Sequence, residues 1–157
     1  MQLQVAIRDH SKEPTMFRFL ESTVKQYMTS KITSVTRACT LGDLESLFAK
    51  YDFETLPVIE NGKLIGIVTK FDFLRAFAFT TGQLLPSYDE QMKRTVGEVM
   101  TEGVIDVEPD TPLTRVLQMM VNHRIRSFPV VDDGKLAGMI SRGDVMRALK
   151  QATHDGK

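Results

Sequence analysis

Apolar positions along the chain fall into two spacings that alternate in a fixed order. Leu41, Leu44, Leu47 and Phe48 recur at helical intervals, as do Leu113, Val116, Leu117, Met120 and Val121. A short β-branched stretch, Ile32 to Val35 or Val104 to Val107, precedes each helix and predicts a strand. An apolar strand follows each helix, Leu56-Pro57-Val58-Ile59 or Phe128-Pro129-Val130-Val131. Asn61-Gly62 and Asp133-Gly134 then accept the positive φ of a two-residue hairpin turn. The returning strands, Leu64 to Val68 and Leu136 to Ile140, are almost wholly apolar, which predicts cover on both faces. A helix beginning near Phe71 or Gly143 closes each series.

The order strand, helix, strand, strand, helix therefore occurs twice. Offset by 72 residues, the chain aligns with itself from Val24 to Phe77 against Val96 to Leu149 without a gap, and 14 of 54 positions are identical. Composition alone would give about three matches. The chain is a tandem duplication of class α/β (α+β), with two β-α-β-β-α repeats. Its expected divisions are a lead-in (1–23), a first repeat (24–77), a connection (78–95), a second repeat (96–149) and a tail (150–157). About 54 residues cover a sheet poorly by themselves, so the copies should pack together about a pseudo-twofold axis. The lead-in should supply a strand or short helix that caps the module, and residues 78–95 an ordered connection. Thr40 with Asp43 resembles a capping box, while Thr111-Pro112 places a capping hydroxyl before a first-turn proline. These two helix starts differ by one aligned position.

Twenty basic and twenty acidic residues leave no net charge, so no bulk field attracts nucleic acid or an anionic membrane. Partners must be recognised locally. One cysteine, Cys39, excludes an internal disulfide framework and fits a reducing, cytoplasmic compartment. No apolar run nears the roughly 20 residues of a membrane span. His10, His123 and His154 lie apart without ligand spacing, Gly138 to Gly143 does not place Ser141 as a nucleophile elbow, and Arg142-Gly143-Asp144 falls inside a motif that occurs twice. Neither metal nor catalytic chemistry is expected, and Cys39 reads as a small residue filling a loop.

The doubled motifs are more specific. Tyr27-Met28-Thr29 and Val99-Met100-Thr101 open the copies, and Gly62-Lys63-Leu64 and Gly134-Lys135-Leu136 mark the hairpins. Gly66-Ile67-Val68-Thr69-Lys70-Phe71-Asp72 and Gly138-Met139-Ile140-Ser141-Arg142-Gly143-Asp144 close the strands. In this order and register, over about residues 20–150, the set resembles a pair of cystathionine beta-synthase (CBS) domains.

The resemblance implies a regulatory module, not an enzyme, that binds an adenosine-containing ligand such as AMP, ADP, ATP or S-adenosylmethionine between its copies. By that resemblance, Asp72 and Asp144 accept hydrogen bonds from ribose hydroxyls, and Thr69 and Ser141 bond ribose or phosphate. Ile32, Thr33, Val104 and Ile105 line the adenine side with backbone groups, joined by Leu56, Pro57, Phe128 and Pro129. Arg124 is the first candidate for phosphate, near the second motif, with Arg142 and Lys70 beside it. Tyr51-Asp52-Phe53-Glu54, at the aligned positions of the first copy, would repel phosphate, so the two sites should be unequal. Ser/Thr-x-x-Asp is equally a helix capping box, which allows the alternative of a ligand-independent interaction scaffold. The family pattern further implies homodimers through helix faces, here Leu47, Phe48, Met119, Met120 and Phe73 to Phe79, and a regulated enzyme or transporter as partner. No obligatory cofactor is expected.

Overall fold

The computed structural model describes residues 17–78 and 87–154. In chain order the elements are α1 (Phe17–Glu21), α2 (Val24–Tyr27), α3 (Leu41–Lys50), β1 (Thr55–Glu60), β2 (Lys63–Thr69) and α4 (Lys70–Arg75). Then come α5 (Tyr88–Met92), α6 (Val96–Val99), α7 (Leu113–His123), β3 (Ser127–Asp132), β4 (Lys135–Ser141) and α8 (Arg142–His154). The expected connection is partly helical, in α5; residues 79–86, including Phe79, lie outside the described residues.

Both hairpins form where the dipeptides require them. Asn61 and Gly62 have φ of 50° and 76°, Asp133 and Gly134 49° and 76°, the positive pair of a two-residue turn. The hairpins meet edge to edge in one antiparallel sheet of order β1-β2-β4-β3, with Lys63 opposite Lys135 at the junction.

The strands expected at Ile32 to Val35 and Val104 to Val107 shrink to single parallel bridges, Val35 with Val58 and Val107 with Val130. Proline is the reason. Val35 N–H donates to the Pro57 carbonyl and the Val35 carbonyl accepts from Ile59 N–H, but the next rung back would need an N–H from Pro57, which has none. Pro129 stops the ladder at Ile105 in the same way. The carbonyls of Thr33 and Ile105 thereby lose the partner a strand would supply.

The copies also exchange their opening helices. Val24 of α2 packs with Val107, Leu113, Val116, Phe128, Val130 and Ile140 of the second copy, while Val96 and Val99 of α6 pack with Val35, Leu41, Leu44, Leu56, Val58 and Val68 of the first. Thr29 then bridges to Met139 and Thr101 to Ile67, each pair by two backbone bonds of 2.9–3.0 Å. Mutual dependence of the copies is thus built into both cores. The described part of the lead-in is a short helix, α1, whose Phe19 is buried in the second core.

Several helix starts obey the capping chemistry, while α5 and α7 have no side-chain cap. Thr40 accepts from Asp43 N–H at 3.1 Å and Asp43 returns a bond to Thr40 N–H at 2.9 Å. α7, however, begins at Leu113 with Pro112 as its N-cap, because the Thr111 hydroxyl is taken by Glu108 N–H. The two starts, Leu41 and Leu113, therefore coincide under the 72-residue offset.

α6 carries a capping box from Glu98 to Thr95, and the Thr95 backbone N–H holds the Glu98 carboxyl below its ordinary 4.5. A carboxylate with a depressed folded pKa adds stability above its unfolded pKa and loses it as pH falls through the folded one. Glu98 should therefore be more than half ionised at pH 4.5 by NMR titration, and replacing Thr95 with Ala, which removes the hydroxyl's bond but keeps the backbone N–H, should return the midpoint only part of the way upward. An unshifted midpoint in both would contradict the cap.

The apolar returning strands do not have both faces covered as expected. Gly66, Val68, Gly138 and Ile140 are buried, but the alternate residues Ile67 and Met139 are only half-buried. Their face looks onto the clefts between the copies.

Candidate functional site

Two clefts lie between the copies, each with walls from both. The first, about 420 Å³, is lined by Thr29, Lys31, Ile32 and Thr33, by Asp52 to Leu56, and from the second copy by Arg126, Ser127, Met139, Ser141, Arg142 and Gly143. The second, about 640 Å³, takes Ile67, Thr69, Lys70, Phe71 and Leu74 from the first copy, with Arg124 to Ser127 and Glu54, Thr55. Exchange of the opening segments explains this mixing: Thr29 to Thr33 are carried across to β4, opposite the motif of the other copy.

That arrangement divides the candidate residues. Ser141 and Arg142 share the first cleft with Ile32, Thr33 and Leu56, whereas Arg124 joins Thr69 and Lys70 in the second. Arg124 is therefore not among the residues lining the cleft of the Ser141 motif, where the sequence-based expectation set it; it caps α7 in a left-handed conformation, φ 54°, and lines the other cleft. Val104 and Ile105 lie outside the lining of the second cleft. Pro57, Phe128 and Pro129 are buried beneath the surface, Phe128 wholly so in the second core.

The two aspartates are held more tightly than a free ribose acceptor would be. Asp72 Oδ2 accepts from Thr69 N–H and Thr69 Oγ1 at 2.9 Å each, and Oδ1 accepts from Arg75 at 3.0 Å. Asp144 accepts from Ser141 N–H at 2.8 Å, from Ser141 Oγ at 2.9 Å and from Arg147 at 3.2 Å. Both carboxylates are buried and neither is among the cleft linings. An ionised carboxylate offers about four lone-pair sites, so three internal bonds leave about one, not the two that a diol would occupy.

The hydroxyls are constrained likewise. Thr69 Oγ1 donates to Asp72 and accepts from Asp72 N–H at 3.1 Å, and Ser141 Oγ does the same with Asp144 at 3.3 Å. Each has spent its single hydrogen and keeps one acceptor position. Facing the cleft, such a hydroxyl can receive a ribose O–H but cannot donate to phosphate. The capping box expected as an alternative is therefore present in both copies, and it leaves room for one ribose contact.

Charge is unequal between the clefts. Lys70 Nζ lies 3.4 Å from Glu54 and 3.9 Å from Asp52, so its charge is largely committed. Arg124, Arg126 and Arg142 have no ion pair among the described residues. Arg126 lines both clefts, a position that its place in a charged run disguised in the sequence. Lys31, Phe53, Ser127 and the half-buried Met139 were likewise not singled out by sequence; only the fold brings them to the walls.

Among the described residues, no group of three His, Cys, Asp or Glu could hold a metal, and no helix is long and apolar enough to cross a membrane. Paired β-α-β-β-α repeats that exchange their opening helices and enclose two clefts define the class. The chain belongs to the CBS domain family, whose domain it matches at residues 24–79 and 96–151.

It is similar to CBS domain-containing protein YhcV of Bacillus subtilis, 31% identical over 134 residues that make up 85% of this chain and 89% of YhcV. Among solved structures it is similar to CBSX2 of Arabidopsis thaliana in complex with AMP, with TM-score 0.70 and 30% identity over 82% of this chain and 96% of CBSX2. It is also similar to the CBS domain pair of protein MJ0100 in complex with 5′-methylthioadenosine and S-adenosyl-L-methionine. There the TM-score is 0.68 and the identity 26%, covering 83% of this chain and 97% of that one.

Proposed function

We propose that this chain is a regulatory sensor that binds an adenosine-containing ligand, AMP, ADP, ATP or S-adenosylmethionine, in the clefts between its two CBS repeats. The observation that carries the reading is the doubled pairing of a half-satisfied hydroxyl, Thr69 or Ser141, with a segment crossing from the other copy. In the first cleft that segment presents the Thr33 carbonyl, deprived of its ladder partner by Pro57, where an adenine amino group can donate to it. Apolar Ile32, Leu56 and Met139 suit the flat base, and Arg126 with Arg142 suits a phosphate. The likeness to CBSX2 with AMP and to the MJ0100 pair with adenosyl ligands supports the same chemistry.

Sensing rather than catalysis completes the proposal, in the cytoplasm, with occupancy reported through the shape of a homodimer to a regulated enzyme or transporter. The residues of the expected dimer surface differ in exposure. Met120 is buried in the second core and Leu47, Phe48 and Met119 are half-buried against the cores, whereas Leu74 of the Phe73 to Phe79 stretch is exposed. Phe71, Leu74 and Met146, all more than 60% exposed, are better suited to a helix-face contact.

Isothermal titration of ligand-free protein with AMP, ADP, ATP and S-adenosylmethionine should give saturable heat with at least one. No heat with any would leave the ligand-independent scaffold as the function.

A further inference from the structure

Arg75 and Arg147 recur at the same place in both copies, yet neither lines a cleft. Each lies three residues after its aspartate, so one turn of helix brings guanidinium and carboxylate together. Each also reaches out of its own helix. Arg147 Nη2 donates to the Tyr27 carbonyl at 2.9 Å, with the guanidinium 6.0 Å from the Tyr27 ring. Arg75 Nη2 lies 3.4 Å from the Val99 carbonyl. Tyr27 and Val99 are the last residues of α2 and α6, the exchanged opening helices. Their C-terminal carbonyls lack helical partners, and a cation is favoured there.

We propose that Arg75 and Arg147 are clasps that seat each crossing segment against the opposite copy's sheet and so hold the cleft-lining residue paired with it, Met139 in the first cleft and Ile67 in the second. In the first cleft one wall begins at Thr29, two residues after Tyr27, and the other contains Ser141. Beneath them runs a continuous path: Ser141 hydroxyl to Asp144, Asp144 to Arg147, Arg147 to the Tyr27 carbonyl. The same path runs from Thr69 through Asp72 and Arg75 to Val99, two residues before Thr101, whose bridge to Ile67 joins this crossing segment to the lining of the second cleft. The recurring aspartate is the middle of this clasp, and the arginine acts on a ligand only through the walls it holds.

The part of this inference that concerns ligand rests on the function proposed above; the part that concerns the walls does not. Residue-resolved hydrogen exchange on the ligand-free protein separates them. Thr29 N–H donates to Met139 and Thr101 N–H to Ile67, and these amides report the two crossings. Arg147→Met should speed exchange at Thr29 by about twofold to tenfold, the worth of one ordinary hydrogen bond, and leave Thr101 unchanged. Arg75→Met should do the reverse. If either variant speeds both amides equally, or neither, the clasp is overturned. Should Arg147→Met fail to fold, Arg147→Lys, which keeps the charge but not the fork, is read at the same amides with the same expectation. AMP titration of the same variants then tests the link to binding: each should weaken one cleft and spare the other. A protein that binds none of AMP, ADP, ATP and S-adenosylmethionine would sink the functional reading while leaving the exchange result to stand.

Discussion

Gly66→Ala should destabilise the chain by about 3 kcal/mol, the upper end of ordinary overpacking. An added methyl at Gly66 would lie 2.5 Å from the Thr101 carbonyl oxygen, and at Gly138 2.8 Å from the Thr29 carbonyl oxygen. Both obstacles are backbone, and both are the acceptors of the crossing bridges, so neither can move without breaking a bond to Ile67 or Met139. Neither glycine needs an unusual φ; each is required by the close approach of the opposite copy. Gly138→Ala, with slightly more room against the backbone, should cost about 2 kcal/mol by the same reasoning. For a chain of this length those losses correspond to a fall of roughly 4–12 °C in melting temperature. Gly143→Ala is the control. Its methyl would meet nothing closer than 3.6 Å, inside a 13-residue helix, so it should be neutral or stabilising by up to about 1 kcal/mol. Unfolding by heat and by urea decides the matter, and a Gly66→Ala melting temperature equal to the parent's would mean that the crossing does not hold the copies together.

These glycines mark what the sequence could and could not disclose. Their recurrence at one offset was visible, and so were the hairpins, because Asn-Gly and Asp-Gly state a local backbone requirement. The capping boxes were equally visible, since their two partners sit three residues apart. Exchange of α2 and α6 was not: nothing local distinguishes a helix that packs on its own copy from one that packs on the other. That hidden step also displaced the site. Arg124 follows the second copy's helix, so sequence order assigned it to the second copy's motif, whereas the fold sets it against Thr69. The strands that failed to extend past Val35 and Val107 were misjudged for a different reason. β-branched composition suggested them, but the decisive residue was the proline in the neighbouring strand.

Arg126→Ala should weaken AMP binding at both clefts, because Arg126 lines both, whereas Arg124→Ala should weaken only the second and Arg142→Ala only the first. A charge-assisted bond to phosphate is worth about 1.5–3 kcal/mol, which predicts a loss of roughly tenfold to a hundredfold in affinity at each affected cleft. Adenosine, lacking phosphate, should lose less than about threefold in all three variants, given that none of these arginines faces the base in this reading. The parent itself should bind AMP unequally. Three cations face two carboxylates in the first cleft, Lys31, Arg126 and Arg142 against Asp52 and Glu54; in the second, Lys70 is already paired with Glu54 and Asp52, which leaves Arg124 and Arg126 without an ion pair among the described residues. The second cleft is thus the tighter for a nucleotide, and added salt should narrow the difference by screening. All three side chains at issue are solvent-facing, so the variants should melt near the parent and leave the folded state intact. Equal losses for adenosine and AMP would show that the arginines shape the cleft rather than bind phosphate, and a first cleft that outbinds the second would show that enclosure by Ile32, Leu56 and Met139 outweighs charge.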